Sequence, residues 1–245
     1  ELYSGGPAPF EDPALFNDSL ASVSMDEKIL RILELEKRTK GADARIVSVP
    51  YNSYGESSGE FLVFNTRGVR ARQRRTSVSG YTYCLAKQGE ESRMAGESFF
   101  VRDSKGIADT VLSEVAKTAA EKAILKLGAS SPETGRYPIL LDRDVVAEVF
   151  GLIAGYFSAK AVSEKTSIFG NDLGKNIASS LLSVVDDPSL PNGVGNRAFD
   201  AEGATTVKTP LIEKGVLKRG LGSLESQERA GVPGVANFRS ASWNR

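Results

Sequence analysis

The stretch from residue 44 to residue 101 constrains the fold most. Val47 and Val49 alternate with polar residues. Phe61-Leu62-Val63-Phe64 runs into Asn65-Thr66-Arg67-Gly68, and residues 69–84 alternate polar and apolar again. Side chains of a strand point to opposite faces in turn, so a period of two predicts half-buried antiparallel strands. Residues 65–68 then form a turn, and Gly89 and Gly96 punctuate the rest. A helix is predicted on either side. Ser24, with Glu27 three residues on, reads as a capping box, and Ile29, Leu30, Ile32, Leu33 and Leu35 continue an amphipathic helix to about Gly41. Asp103 or Ser104 caps a second helix. Its stripe is Ile107, Val111, Val115, Ala119, Lys122 and Leu125, and Gly128 stops it. The fold class is α+β: an antiparallel β-sheet flanked by helices in an N-terminal domain.

That domain is predicted over residues 1–128. It opens with a Gly- and Pro-rich loop, residues 1–23, laid over a surface with Phe10, Leu15 and Phe16 as anchors. Residues 129–137 read as a linker, and 138–245 as a second domain. Pro138-Ile139-Leu140-Leu141-Asp142 suggests a short apolar strand. Residues 144–162 suggest a strongly apolar helical segment, and 175–182 a helix or a strand. From Val184 onward the texture is strand and turn. The chain opens on Glu1 rather than Met and reads as a piece of a longer one, without a signal peptide.

Composition excludes several chemistries. The 245 residues contain no His and one Cys, Cys84. They cannot by themselves supply a Ser-His-Asp triad, a Cys-His pair, a His-ligated metal or a disulfide framework. Lys+Arg and Asp+Glu are both 31. This neutrality speaks against nucleic acid as a partner. No apolar run is long enough for a transmembrane helix, so no membrane role is expected. The cysteine usage fits a cytoplasmic setting.

The remaining candidates have plain structural readings. Arg70, Arg72 and Arg74 recur at period two and share one strand face, with Arg75 next. They could form a phosphate-contacting ridge, but a solvated face fits the neutral charge better. Asp172, Asp186, Asp187 and Asp200 could be drawn as a cation cluster, yet Asp186-Asp187-Pro188 is also a good turn. Gly193-Val194-Gly195 lacks the third glycine of a dinucleotide loop. Cys84 reads as a small core hydrophobe. Lys160 with Ser163, or Lys165 with Ser167, is the raw material for a peptidase without His.

Several segments in order resemble the TldD/PmbA family. They are Gly135-Arg136-Tyr137-Pro138-Ile139-Leu140-Leu141-Asp142, Thr166-Ser167-Ile168-Phe169, Val184-Val185-Asp186-Asp187-Pro188, Phe199-Asp200-Ala201-Glu202-Gly203, and Leu211-Ile212-Glu213-Lys214-Gly215-Val216-Leu217. The resemblance implies a β-rich C-terminal domain, here incomplete. It also implies a pair of related subunits. One is a zinc metallopeptidase whose helix carries H-E-x-x-x-H; the other, PmbA or TldE, lacks the motif. Counting back from Thr166-Ser167, the first His falls at Phe150, the Glu at Gly151 and the second His at Gly155. The resemblance therefore implies a PmbA/TldE-like, catalytically silent subunit with no cofactor of its own, zinc residing only in a TldD-like partner. Its expected partners are that homologous subunit or a second copy as a dimer, with small peptides or unfolded proteins as substrate. The apolar replacements suggest that the vacant motif is filled with core. The alternatives are a peptidase with non-His chemistry, or a gyrase- or DNA-associated binding protein, after the family's older name, modulator of DNA gyrase.

Overall fold

The structure, a computed structural model, describes residues 3–5, 15–102, 107–170, 172–190 and 193–231. The described residues fall into two units. One comprises those of 12–60 and 74–135; the other comprises those of 1–11, 61–73 and 136–245. The α+β reading holds: antiparallel sheets are flanked by helices.

In the first unit, α1 (Met25–Gly41) starts where Ser24 Oγ accepts the Glu27 N–H at 3.2 Å. Its buried line runs through Leu35 and Thr39, while Ile29, Leu30 and Leu33 are exposed. Full burial of one such leucine stabilises by roughly 1.5–3 kcal/mol. Two long strands, β1 (Ile46–Phe64) and β2 (Arg70–Gln88), form a sheet with β3 (Glu91–Val101) in the order β1-β2-β3. The β2–β3 register runs without interruption from Val78↔Val101 to Gln88↔Glu91.

The second helix, α2 (Asp109–Leu125), begins later than expected. Ala108 is its N-cap and makes no side-chain cap bond. Asp103 and Ser104 lie outside the described residues. Of the expected stripe, Ile107, Val115 and Ala119 are buried and Leu125 is exposed; the buried line of α2 also carries Leu112, Ala116, Ala120 and Ala123. Alanines let a helix axis approach a sheet closely, and Ala119, Ala120 and Ala123 pack with Ile46, Cys84, Ala86 and Ala95. Arg38 ties the helices together: its Nη1 donates to the Asp109 carbonyl at 2.8 Å and to Ser113 Oγ at 2.7 Å. Of the expected anchors of the opening loop, Leu15 is buried and Phe16 lies under the Arg74 guanidinium at 3.4 Å. Phe10 lies outside the described residues.

The burial phase of β2 reverses along its length. Ala71 and Gln73 are buried, then Thr76, Val78, Gly80, Thr82, Cys84 and Ala86. The buried positions are odd up to Gln73 and even from Thr76 onward. The ends of β1 and β2 that belong to the second unit turn at residues 65–68, where Gly68 has φ +88°. Beyond that turn Phe61, Val63 and Ala71 pack with Ala198 and Phe199.

The rest of the second unit is a small sheet, β4 (Val184–Asp186), β5 (Thr209–Glu213) and β6 (Val216–Leu217), in that order. It also holds α3 (Arg143–Ile153), a 3-10 turn over Ala154–Phe157, α4 (Ala159–Ser163) and α5 (Leu224–Arg229). Phe157, Leu211, Ile212 and Leu217 form its core, with Ile153, Phe169 and Leu221 against them. Two expectations fail here. Residues 138–142 form no strand: the chain is exposed, with Leu140 at 99%. A strand needs a partner, and local apolarity does not supply one. Residues 175–182 are neither helix nor strand. They are held by backbone bonds to the β5–β6 turn, such as Ile177 N–H to the Gly215 carbonyl at 2.9 Å.

Candidate functional site

The positions implied for a zinc motif lie on α3 and the turn after it. Asp142 caps α3, its carboxylate accepting the Asp144 N–H at 3.0 Å. The apolar run over residues 144–162 is not one helix. α3 ends at Ile153, the 3-10 turn follows, and Ser158 caps α4 with its Oγ accepting the Ala161 N–H at 3.5 Å. At Gly151 and at Gly155, nothing among the described residues lies within 4 Å of where a Cβ would stand. Phe150 is half-buried, and α3 contains no buried residue.

Among the described residues, no core fills the vacant motif. The residues are apolar but open. Val145, Val149, Leu152 and Tyr156 recur at helical spacing and are all exposed. Composition signals that a face avoids water; it does not say that a partner is present.

The three positions do not fit zinc. A phenyl ring and two hydrogens offer neither a metal ligand nor a proton carrier. Among the described residues no group of three His, Cys, Asp or Glu side chains could hold a metal ion. Three of the four aspartates have separate local roles. Asp187 accepts from Ser189 N–H at 3.0 Å and Ser189 Oγ at 2.7 Å, and pairs with Lys208 at 2.9 Å. These bonds hold its carboxyl at about 2, below the ordinary carboxylate range; the largest effect is the Lys208 bond. Asp200 accepts from the N–H groups of Glu202 and Ala204, and Asp172 pairs with Lys175. Asp186 ends β4, and the turn expected at Asp186-Asp187-Pro188 falls at Pro188-Ser189, with Asp187 bonding to Ser189 across it.

The serine–lysine pairs are not assembled as dyads. Ser163 Oγ donates to the Lys160 carbonyl at 2.9 Å, not to an amine. Ser167 Oγ donates to the Tyr156 carbonyl at 2.7 Å and accepts the Phe169 N–H at 3.0 Å. Arg70, Arg72 and Arg74 share the exposed side of β2, as spaced. Arg74 is engaged by Phe16 and by Asp18 at 3.6 Å. Gly193 to Asn196 is a turn with no helix directly following it, so it lacks the helix N-terminus that a phosphate loop requires. Cys84 is fully buried, and burial pushes its thiol up. No helix among the described residues is long and apolar enough to cross a membrane.

Comparison with known proteins places this geometry. Residues 18–127 match the PmbA/TldA metallopeptidase central domain, and residues 134–244 match the PmbA/TldA metallopeptidase C-terminal domain. A metalloprotease of Methanothermobacter thermautotrophicus is 30% identical over 188 residues, covering 76% of this chain and 41% of the relative. Metalloprotease PmbA of Escherichia coli O157:H7 is 25% identical over 239 residues, covering 95% and 52%. The chain thus spans about half the length of the curated relatives it matches. Among solved structures, a Thermotoga maritima protein described as a modulator of DNA gyrase superposes with a TM-score of 0.88 at 23% identity, covering 97% of this chain and 54% of that one. TldE from Thermococcus kodakarensis gives 0.80 at 20% identity, covering 99% and 55%. With both of its domain matches in the family's own order, this chain belongs to the PmbA/TldD metallopeptidase family.

Proposed function

We propose that this chain is a PmbA/TldE-like member of the family that carries no catalytic zinc and serves as the silent subunit beside a zinc-bearing homologue. The observation that carries the reading is the chemistry at Phe150, Gly151 and Gly155, in 245 residues that contain no His. In this reading the zinc resides in a TldD-like partner, and the substrates are small peptides or unfolded proteins in the cytoplasm. The exposed apolar line Val145, Val149, Leu152 and Tyr156 supports association, because monomers seldom leave contiguous apolar surface in water.

The test is affinity purification of the tagged full-length protein from its native cell. Recovery of a homologue bearing H-E-x-x-x-H, together with peptide hydrolysis that needs both chains, supports the proposal. Undiminished hydrolysis by this chain alone overturns it.

A further inference from the structure

Behind the motif turn lies a small apolar pocket with an unanswered charge at its rim. Its volume is about 60 Å³, and its wall includes Phe157, Val162, Phe169, Leu173 and Leu217. It is built by local packing. Phe157 stacks on Phe169 with centroids 5.1 Å apart. The Leu221 N–H donates to the Phe157 carbonyl at 2.7 Å, and the Ala159 N–H donates to the Leu221 carbonyl at 2.8 Å. These two bonds pull the chain after β6 tightly against the start of α4. Gly220 permits that approach, since a Cβ there would stand 2.8 Å from the Phe157 oxygen.

Arg219 lines the same pocket. It is half-buried, and among the described residues it makes no hydrogen bond or ion pair. Arg31, Arg38, Arg45, Arg74, Arg93 and Arg229, by contrast, all meet carboxylates. A guanidinium partly withdrawn from water next to apolar walls gains most from a carboxylate, which it grips with two parallel N–H bonds. The pocket lies between the ~10–15 Å³ that admits a water and the ~150 Å³ that admits benzene. That suits one aliphatic side chain.

We propose that this pocket receives the C-terminal residue of a peptide. The α-carboxylate pairs with Arg219, and an aliphatic side chain of about valine or leucine size enters between Phe157, Phe169 and Leu217. Capture of a C-terminal carboxylate is a known mode of peptide recognition, and a guanidinium is suited to grip it. The site deepens the peptide-handling reading above by giving this subunit a ligand of its own: a free peptide end, the form in which degradation intermediates present themselves.

The experiment uses fluorescence anisotropy with three labelled hexapeptides on the full chain without any partner. One ends in leucine with a free carboxylate, one is its C-terminal amide, and one ends in glutamate with a free carboxylate. The free-acid leucine peptide is expected to bind, with the amide and the glutamate peptide each weaker by about tenfold or more. Arg219→Gln is expected to weaken the free-acid peptide by a similar factor while leaving the amide unchanged. Leu173→Trp, at a partly exposed wall position, is expected to close the pocket to both leucine peptides. Circular dichroism melts confirm that each variant is folded. Equal binding of acid and amide, unaltered binding in Arg219→Gln, or no binding at ~1 mM peptide overturns the proposal. Because no partner is present, a negative result leaves the silent-subunit reading standing, and failure of pairing leaves a positive peptide result standing.

Discussion

Phe61 and Phe199 stack with ring centroids 5.5 Å apart and an interplanar angle of 19°. Phe61 lies near the end of β1, and Phe199 comes from a loop far along the sequence and is 1% exposed. Below it the Ala198 N–H donates to Gln73 Oε1 at 3.1 Å, so backbone and ring are fixed together. Phe199→Ala should cost about 3–5 kcal/mol, the range for deleting a buried aromatic. Urea denaturation of the purified variant measures it. A loss below 1 kcal/mol would show that this contact does not organise the second unit.

Gly151 sits inside α3 with open space where a side chain would go. Glycine in a helix interior is worse than alanine by roughly 0.5–1 kcal/mol, mostly through chain entropy. Gly151→Ala should therefore stabilise the chain by that amount and displace nothing. A raised thermal midpoint is the expected result; a lowered one would mean that this face is covered.

Asp187 gives a pH dependence with a definite sign. Its folded carboxyl titrates at about 2, below the ordinary 3.8. The ionised form is favoured by folding, so the stabilisation is present above about pH 4 and is lost as pH falls toward 2. Asp187→Asn should lower the urea midpoint at pH 5, and the gap to the native protein should narrow steadily down to pH 2. A gap that is constant with pH would contradict the role given to the Lys208 and Ser189 bonds.

Cys84 should be silent toward thiol reagents in the folded chain. Its side chain is fully enclosed and its thiolate is disfavoured by burial. Labelling should proceed at the rate of global opening and follow the urea curve. Fast labelling without denaturant would show that the Ala119–Ala123 face of α2 does not stay seated on the sheet.

How much was legible in the sequence depended on whether the signal was local. Ser24 and Gly41 frame α1 because capping is a matter of a few residues. The turn at residues 65–68 follows from Asn65, whose Oδ1 accepts the Arg67 and Val69 N–H groups, and from Gly68. The burial of Cys84 follows from alternation. What failed was non-local. Residues 138–142 are as apolar as a strand but have no partner among the described residues, and α3 is apolar yet open. Apolar residues report a wish for burial, and only tertiary contacts decide whether it is met. The phase reversal in β2 was likewise invisible, because alternation looks the same whichever parity is buried. The pocket behind Phe157 was missed because its walls come from four separate stretches, and Arg219 alone carries no motif.

The central claim is that this chain contributes no zinc site to the family's chemistry. The direct measurement is zinc per chain by mass spectrometry, on the full-length protein purified alone and in complex with its zinc-bearing homologue. The expected result is no stoichiometric zinc on the isolated chain, and one zinc per complex that disappears when the homologue's H-E-x-x-x-H histidines are replaced. One tightly held zinc on the isolated chain, lost on unfolding, would contradict the claim.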